Sequence, residues 1–192
     1  MADVTTNNAN RSSNNAKIRF ITTTALMAAV ICILGPLSIP IGPVPISLTN
    51  LAIYFTMYIL DTKRGVVAYL IYMLIGLVGL PVFSGFQGGP QKLFGPTGGY
   101  IIGFFPMALL IGLFVDKYYK KRVLCVIVME AATWIAYLLG TIWLAVSAGM
   151  TFKAALMAGV IPFIAEDLIK MVLAAVIGPT LRTRLSRFTA LD

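Results

Sequence analysis

Apolar residues in this chain run in long unbroken blocks, each closed by glycine, proline or a cluster of cations. Six blocks cover residues 18–34, 46–60, 66–80, 100–115, 123–146 and 162–177. None shows the strict alternation of a half-buried strand, and most are too long for one, so each predicts a helix. The first stops at Gly35–Pro36, the third at Pro81 and the sixth at Gly178–Pro179, residues that end helices. Runs of this kind approach the ~20 apolar residues needed to cross a bilayer. The second, third and fourth are short for that task, and local thinning of the bilayer can accommodate them. The pattern predicts an all-α integral membrane protein of six transmembrane helices. Residues 1–16 and 183–192 read as polar tails, the first of them disordered, around a membrane domain at 17–182.

Composition sharpens this picture. Of 192 residues 59% are hydrophobic and 11% charged, with a mean hydropathy of +0.90. A soluble domain carries about a quarter charged residues, so this chain could not cover its surface in water. The +8 net charge sits in short clusters between the blocks, not in a continuous stripe, which excludes a nucleic-acid groove. Arg11, Lys17 and Arg19 precede block one or open it, and Lys63 and Arg64 follow block two. Lys117, Lys120, Lys121 and Arg122 follow block four, and Arg182, Arg184 and Arg187 follow block six. The alternate loops hold only Lys92 and Lys153. By the positive-inside rule both termini are expected in the cytoplasm. The opposite connections, 35–45, 81–99 and 147–161, are long and rich in Gly and Pro. They read as loops that cover a pocket open to the outside.

Several classes of chemistry have no parts here. The chain contains no His, the commonest general base and metal ligand. It has no Walker sequence, no HExxH motif and no paired catalytic carboxylates. It is therefore read as a non-enzyme without cofactor or metal. Cys32 and Cys125 fall near opposite membrane faces by this topology, too far apart for a disulfide. No apolar stretch of signal-peptide type opens the chain.

Charges inside the blocks carry the functional signal. Block six holds Glu166, Asp167 and Lys170. Asp167 and Lys170 lie about 8–12 Å below its outer end at a helical rise of ~1.5 Å per residue. Their i,i+3 spacing places both on one face. Ionisable groups at that depth normally face a bundle interior or a wet cavity and mark ligand or ion sites. A structural ion pair is the competing reading. Glu166 is read as an i,i+4 partner of Lys170. Glu130, on a face shared with Trp134, Tyr137 and Thr141, is read as an interfacial pair with Arg122 or Lys121, or a polar packing contact. Gly98, Gly99 and Tyr100 open block four, where free N–H groups and the helix dipole could hold a carboxylate. Gly99 and Gly103 form a GxxxG pair suited to helix packing. Phe83, Phe94 and Tyr100 could line a pocket for an apolar ring. Ala25 and Ala29, four apart in block one, suit either close packing within the chain or docking to a partner helix.

These segments also resemble a known family. VPISLTNLAIYF, GLPVFSG, FGPTGGYIIGFF, YLLGTIWLA and GVIPFIAEDLIK, in this order over residues 17–182, are similar to the BioY family. That family comprises the biotin-specific substrate-binding (S) components of energy-coupling factor (ECF) transporters. The resemblance implies a six-helix S-component fold in a prokaryotic cytoplasmic membrane, with a biotin pocket near the outer face. It implies partnership with a transmembrane coupling protein and two cytoplasmic ATPases. The ligand set it implies is Asn50, Phe83, Thr97, Gly98, Gly99, Tyr100, Asp167 and Lys170, with Ala25 and Ala29 docking the coupling protein. Asn50 stands where many relatives carry Gln, and Glu166 where many carry a small residue. A stand-alone proton-coupled transporter of a small carboxylated solute, with Asp167, Lys170 and Glu130 as relay, is the alternative.

Overall fold

The computed structural model describes residues 2–189, with side chains for residues 14–186. Eight helices and one small hairpin follow in the order α1 (Ala2–Leu34), β1 (Ser38–Ile39), β2 (Ile46–Ser47), α2 (Thr49–Ile59), α3 (Thr62–Val78), α4 (Pro90–Leu93), α5 (Gly98–Tyr118), α6 (Arg122–Ser147), α7 (Phe152–Gly159) and α8 (Ile161–Thr189). The six expected membrane helices are α1, α2, α3, α5, α6 and α8, while α4 and α7 lie in loops. Among the described residues, three segments are long and apolar enough to cross a membrane unaided: Asn14–Leu34, Gly98–Tyr118 and Arg122–Ser147. Helix α8 has the length, but its first half carries Glu166, Asp167 and Lys170. Helices α2 and α3, with 11 and 17 residues, span only about 16 and 25 Å against a ~30 Å hydrocarbon core.

The shortness of α2 has a structural cause. The predicted block 46–60 begins with an extended segment, since Ile46 and Ser47 pair with Ile39 and Ser38 in an antiparallel ladder. The prolines of the turn, Pro40, Pro43 and Pro45, remove amide donors, so the chain cannot coil until Thr49. Two-residue strands carry too little periodicity to be legible in the sequence. Block six differs at its other end, because α8 continues through Pro179 to Thr189. Gly178 is there for space: a Cβ on it would lie 2.4 Å from the Tyr58 ring. At the opposite terminus α1 is helical from Ala2, where a disordered tail is expected from composition. Extending a formed helix costs far less than starting one.

Local signals set the other boundaries. Asp61 caps α3 by accepting from Arg64 N at 2.8 Å, and Gly79 closes it in the left-handed region at φ 115°. Thr151 caps α7 through Ala154 N at 3.3 Å. Helices α5 and α6 form the most extensive pair in the fold. A Cβ at Gly103 would stand 2.9 Å from Ala136 Cα, and one at Gly99 would stand 2.2 Å from Trp143 Cβ. The GxxxG pair thus serves helix packing. Helix α2 lies between α8 and α5, and α1 packs on α3. The core holds Tyr54, Tyr58, Tyr69, Tyr72, Met107, Ile111 and Met129. Outward rows are apolar as well, with Ile21, Leu113, Ile127, Leu138, Ile169 and Val176 all exposed. A surface of that character belongs in lipid.

The two ends of the bundle differ. At one end lie the α2–α3 and α5–α6 turns and the tail of α8, with Lys63, Lys117, Lys120, Lys121, Arg122 and Arg182. Asp116 ties this end together. It accepts from Thr62 N and Oγ1 at 2.8 and 2.5 Å and from Arg182 Nη2 at 3.0 Å. The opposite end holds the hairpin, α4 and α7, and beneath them lies the cavity.

Candidate functional site

A cavity of about 620 Å³, counting its open mouth, lies between the hairpin, the start of α2, and α3, α5, α6 and α8. Its walls are mostly apolar and aromatic, including Val44, Tyr72, Tyr100, Phe104, Tyr137 and Phe163. One polar cluster stands among them.

Lys170 is the centre of that cluster and is 7% exposed. Its Nζ donates to Ser47 O at 2.6 Å and Asn50 Oδ1 at 2.9 Å. It forms ion pairs with Glu166 Oε2 at 2.6 Å and Asp167 Oδ1 at 3.4 Å. Asp167, 4% exposed, also accepts from Asn50 Nδ2 and from Tyr137 OH at 2.6 Å. The hairpin is what delivers the Ser47 carbonyl to Lys170. The i,i+3 and i,i+4 spacing on α8 delivers the two carboxylates. The result is a buried charge cluster in which donors and acceptors are matched, as burial of ions demands. It also faces the cavity, because Ser47, Asn50, Tyr137, Glu166, Asp167 and Lys170 all line it.

The structure brings Asn50, Thr97, Tyr100, Asp167 and Lys170 of the expected ligand set to this cavity. Phe83, Gly98 and Gly99 are elsewhere. Phe83 is fully buried, edge-on to Tyr72 at 5.5 Å between ring centres, and fills the space left by Gly76. It is a packing residue. Gly98 and Gly99 are glycines because Leu93 O and the Trp143 side chain stand where their Cβ atoms would be. The helix start they form is not an open anion site, since Gly98 N donates to Gly95 O at 3.0 Å and Tyr100 N to Thr97 O at 3.2 Å. Phe94 is exposed at the surface. Glu130 does not reach Arg122 or Lys121 in an ion pair. It accepts from Trp134 Nε1 at 3.0 Å, the polar packing contact of the two expected alternatives.

Ser47, Tyr72, Tyr137 and Glu166 as a cavity wall are among the contributors that escape a reading of spacing alone. Tyr137 shares the α6 face of Glu130 and Thr141, and that shared face was the available signal. Ser47 acts through its backbone carbonyl, which no side-chain pattern reveals. Tyr100 is held from two sides. A Cβ at Gly140 would meet its ring at 2.2 Å, and one at Gly159 would meet its hydroxyl at 2.0 Å. Its place in the wall therefore depends on α6 and on the end of α7.

A second cleft opens at the same end and shares Thr97 with the cavity. It is lined by Pro43, Gln87, Gln91 and Lys92 among others. Lys92 has no ion pair or hydrogen bond from its ammonium among the described residues. Burial there lowers its pKa below the usual lysine range.

Ala25 and Ala29 are exposed on α1 together with Ile21, Leu26 and Ile33. They do not pack within the chain. Cys32 and Cys125 are free thiols.

The fold is shared with known proteins. A crystal structure of the S-component for biotin from an ECF-type ABC transporter superposes with a TM-score of 0.81 at 34% identity, covering 88% of this chain and 94% of that one. Biotin transporter BioY2 of Lactococcus lactis is 36% identical over 172 residues, which is 90% of this chain and 94% of the relative. Biotin transporter BioY of Thermotoga maritima is 39% identical over 158 residues, 82% and 92% of the two chains. The description "BioY family" matches residues 7–187. With nearly the whole membrane domain matched in sequence and in fold, the chain belongs to the BioY family.

Proposed function

We propose that the chain is the biotin-binding membrane subunit of an ECF-type importer, taking biotin into the cavity beneath the hairpin, α4 and α7. The observation that carries this is the buried cluster of Lys170, Asp167, Asn50 and Tyr137 on the cavity wall. Biotin offers a ureido group with two N–H donors and a carbonyl, a fused thioether ring and a carboxylate tail. Asp167 and Glu166 can accept from the ureido N–H groups, and Lys170 can donate to its carbonyl. Tyr72, Phe104 and Phe163 offer apolar walls for the bicyclic ring.

The charge count decides which end of biotin goes inward. Lys170 already meets two carboxylates, Glu166 and Asp167. A ligand carboxylate at the same ammonium would place three anions around one cation, at a high cost in low dielectric. The ureido ring is neutral and adds no charge. The tail then points toward the mouth, where Lys92 is the unpaired cation of the adjoining cleft. Lys92→Gln is expected to weaken biotin severalfold and to leave biotin methyl ester unchanged, measured by titration calorimetry.

The basic end of the bundle faces the cytoplasm in this reading, so the cavity opens outward. The exposed Ala25–Ala29 stripe on α1 is the docking face for a coupling protein, and ATP hydrolysis lies on separate subunits. Relatives from Lactococcus and Thermotoga place the chain in a prokaryotic cell membrane. Equilibrium binding of biotin to the purified chain tests the site. Asp167→Asn and Lys170→Ala should each lower affinity at least tenfold, and undiminished affinity in both would overturn the assignment. Uptake by this chain alone in vesicles, driven by a proton gradient without ATPases, would favour a proton-coupled transporter instead.

A further inference from the structure

On the lipid side of the molecule, away from the cavity, an apolar groove runs between α5 and α6. Leu110, Leu113 and Phe114 line one wall and Val128, Ala131 and Ile135 the other, around a volume of about 760 Å³ counting its open side. The groove points toward the basic end. Lys117 follows Phe114 by three residues on α5, so it stands one turn below on the same face. Lys121 precedes Val128 by seven residues at the start of α6, two turns below on the matching face.

Rings connect the groove to these cations. Phe114 packs on Tyr118 with ring centres 4.9 Å apart. Lys117 Nζ and Lys121 Nζ lie 5.4 and 5.3 Å from the centre of that same Tyr118 ring. Two ammonium groups therefore rest on one ring that packs against the groove wall at Phe114.

Among the described residues no carboxylate neutralises them. The carboxylates at this end are engaged elsewhere, Asp61 with Arg64 and Asp116 with Arg182. Among the described residues no ion pair reaches Lys117, Lys120 or Lys121. The start of α6 adds to the field. It has no side-chain cap and no acidic residue in its first turn, so the positive end of its dipole faces the same place.

We infer that this groove and turn hold one anionic diacyl phospholipid, with an acyl chain between α5 and α6 and the phosphate at Lys117, Lys121 and the start of α6. A zwitterionic lipid could fill the groove but would leave the cation pair uncompensated.

Native mass spectrometry of the full chain in mild detergent, with phosphatidylglycerol or phosphatidylcholine added, tests this. Wild type should retain one phosphatidylglycerol per chain, at least fivefold more than phosphatidylcholine. Lys117→Gln with Lys121→Gln should remove that preference, and the Lys→Arg pair should keep it. Ala131→Phe fills the groove from its exposed side and should lower retention of both lipids. Lys153→Gln, at the opposite end, should change nothing. Equal retention of the two lipids by wild type would overturn the inference. So would a wild-type preference in the double Gln variant, or a loss in Lys153→Gln as large as in that variant. Thermal melts of each variant separate lipid loss from unfolding, and the groove and charge variants test the site independently.

Discussion

At the scale of single residues, the site is an arrangement in which each buried ion has more than one partner. Asp167 receives Asn50, Lys170 and Tyr137, so losing one donor weakens it without leaving it bare. Tyr137→Phe is expected to lower biotin affinity roughly tenfold, the worth of about 1.5 kcal/mol for a hydrogen bond to a charged group. Titration calorimetry reads this directly. Removing Lys170 is different, because two neighbouring carboxylates on α8 would then stand at the cavity wall without a cation. Lys170→Ala should therefore cost stability as well as affinity, while Lys170→Ala with Glu166→Ala should recover part of the melting temperature. Asp167 and Lys170 were legible because charges are scarce in an apolar block and their spacing fixes a shared face. Phe83 and the glycine pair misled for one reason. Aromatic and glycine residues near a pocket serve packing as readily as binding, and only the position of Tyr72, Leu93 and Trp143 around them decides between the two.

At the scale of elements, the loops do more than cover the cavity. The β1–β2 hairpin supplies the Ser47 carbonyl to Lys170, and α7 ends on Gly159 against the Tyr100 hydroxyl. Gly159→Ala should therefore lower the melting temperature, at the ~1–3 kcal/mol of an overpacked contact. Adding Tyr100→Phe removes the colliding oxygen and should restore part of the loss. A melt in which the second substitution gives no recovery would show that the contact is not what limits position 159. At the basic end, Asp116 joins the α2–α3 turn to α8. Asp116→Ala should cost about 1–3 kcal/mol, since it strips partners from Thr62 and Arg182. The predicted boundaries were close for α6, where a long apolar run meets cations at one end and a glycine at the other. They failed for α2 and α8, where a hairpin strand replaced the first turn of one and a helix ran through proline in the other. Neither outcome is written in local hydrophobicity, because both depend on what packs alongside.

At the scale of the whole molecule, a bundle with apolar flanks, a basic end and a loop-covered end is consistent across every level of the sequence. The block pattern made the helices legible, and the cation clusters distinguished the two ends. The cavity itself was legible only as two polar residues in the wrong solvent, since its walls come from six helices distant in sequence. The account stands or falls on what the buried cluster recognises. Competition against bound biotin by desthiobiotin and by lipoate, on the purified chain without partners, reads that most directly. Desthiobiotin keeps the ureido group, whereas lipoate keeps the carboxylate tail and a sulfur ring but lacks the ureido group. Desthiobiotin should displace biotin within about tenfold of biotin's own affinity, and lipoate should be at least a hundredfold weaker, as expected where buried polar groups are left unpaired. Equal competition by the two would contradict the assignment of Asp167 and Lys170 to the ureido ring.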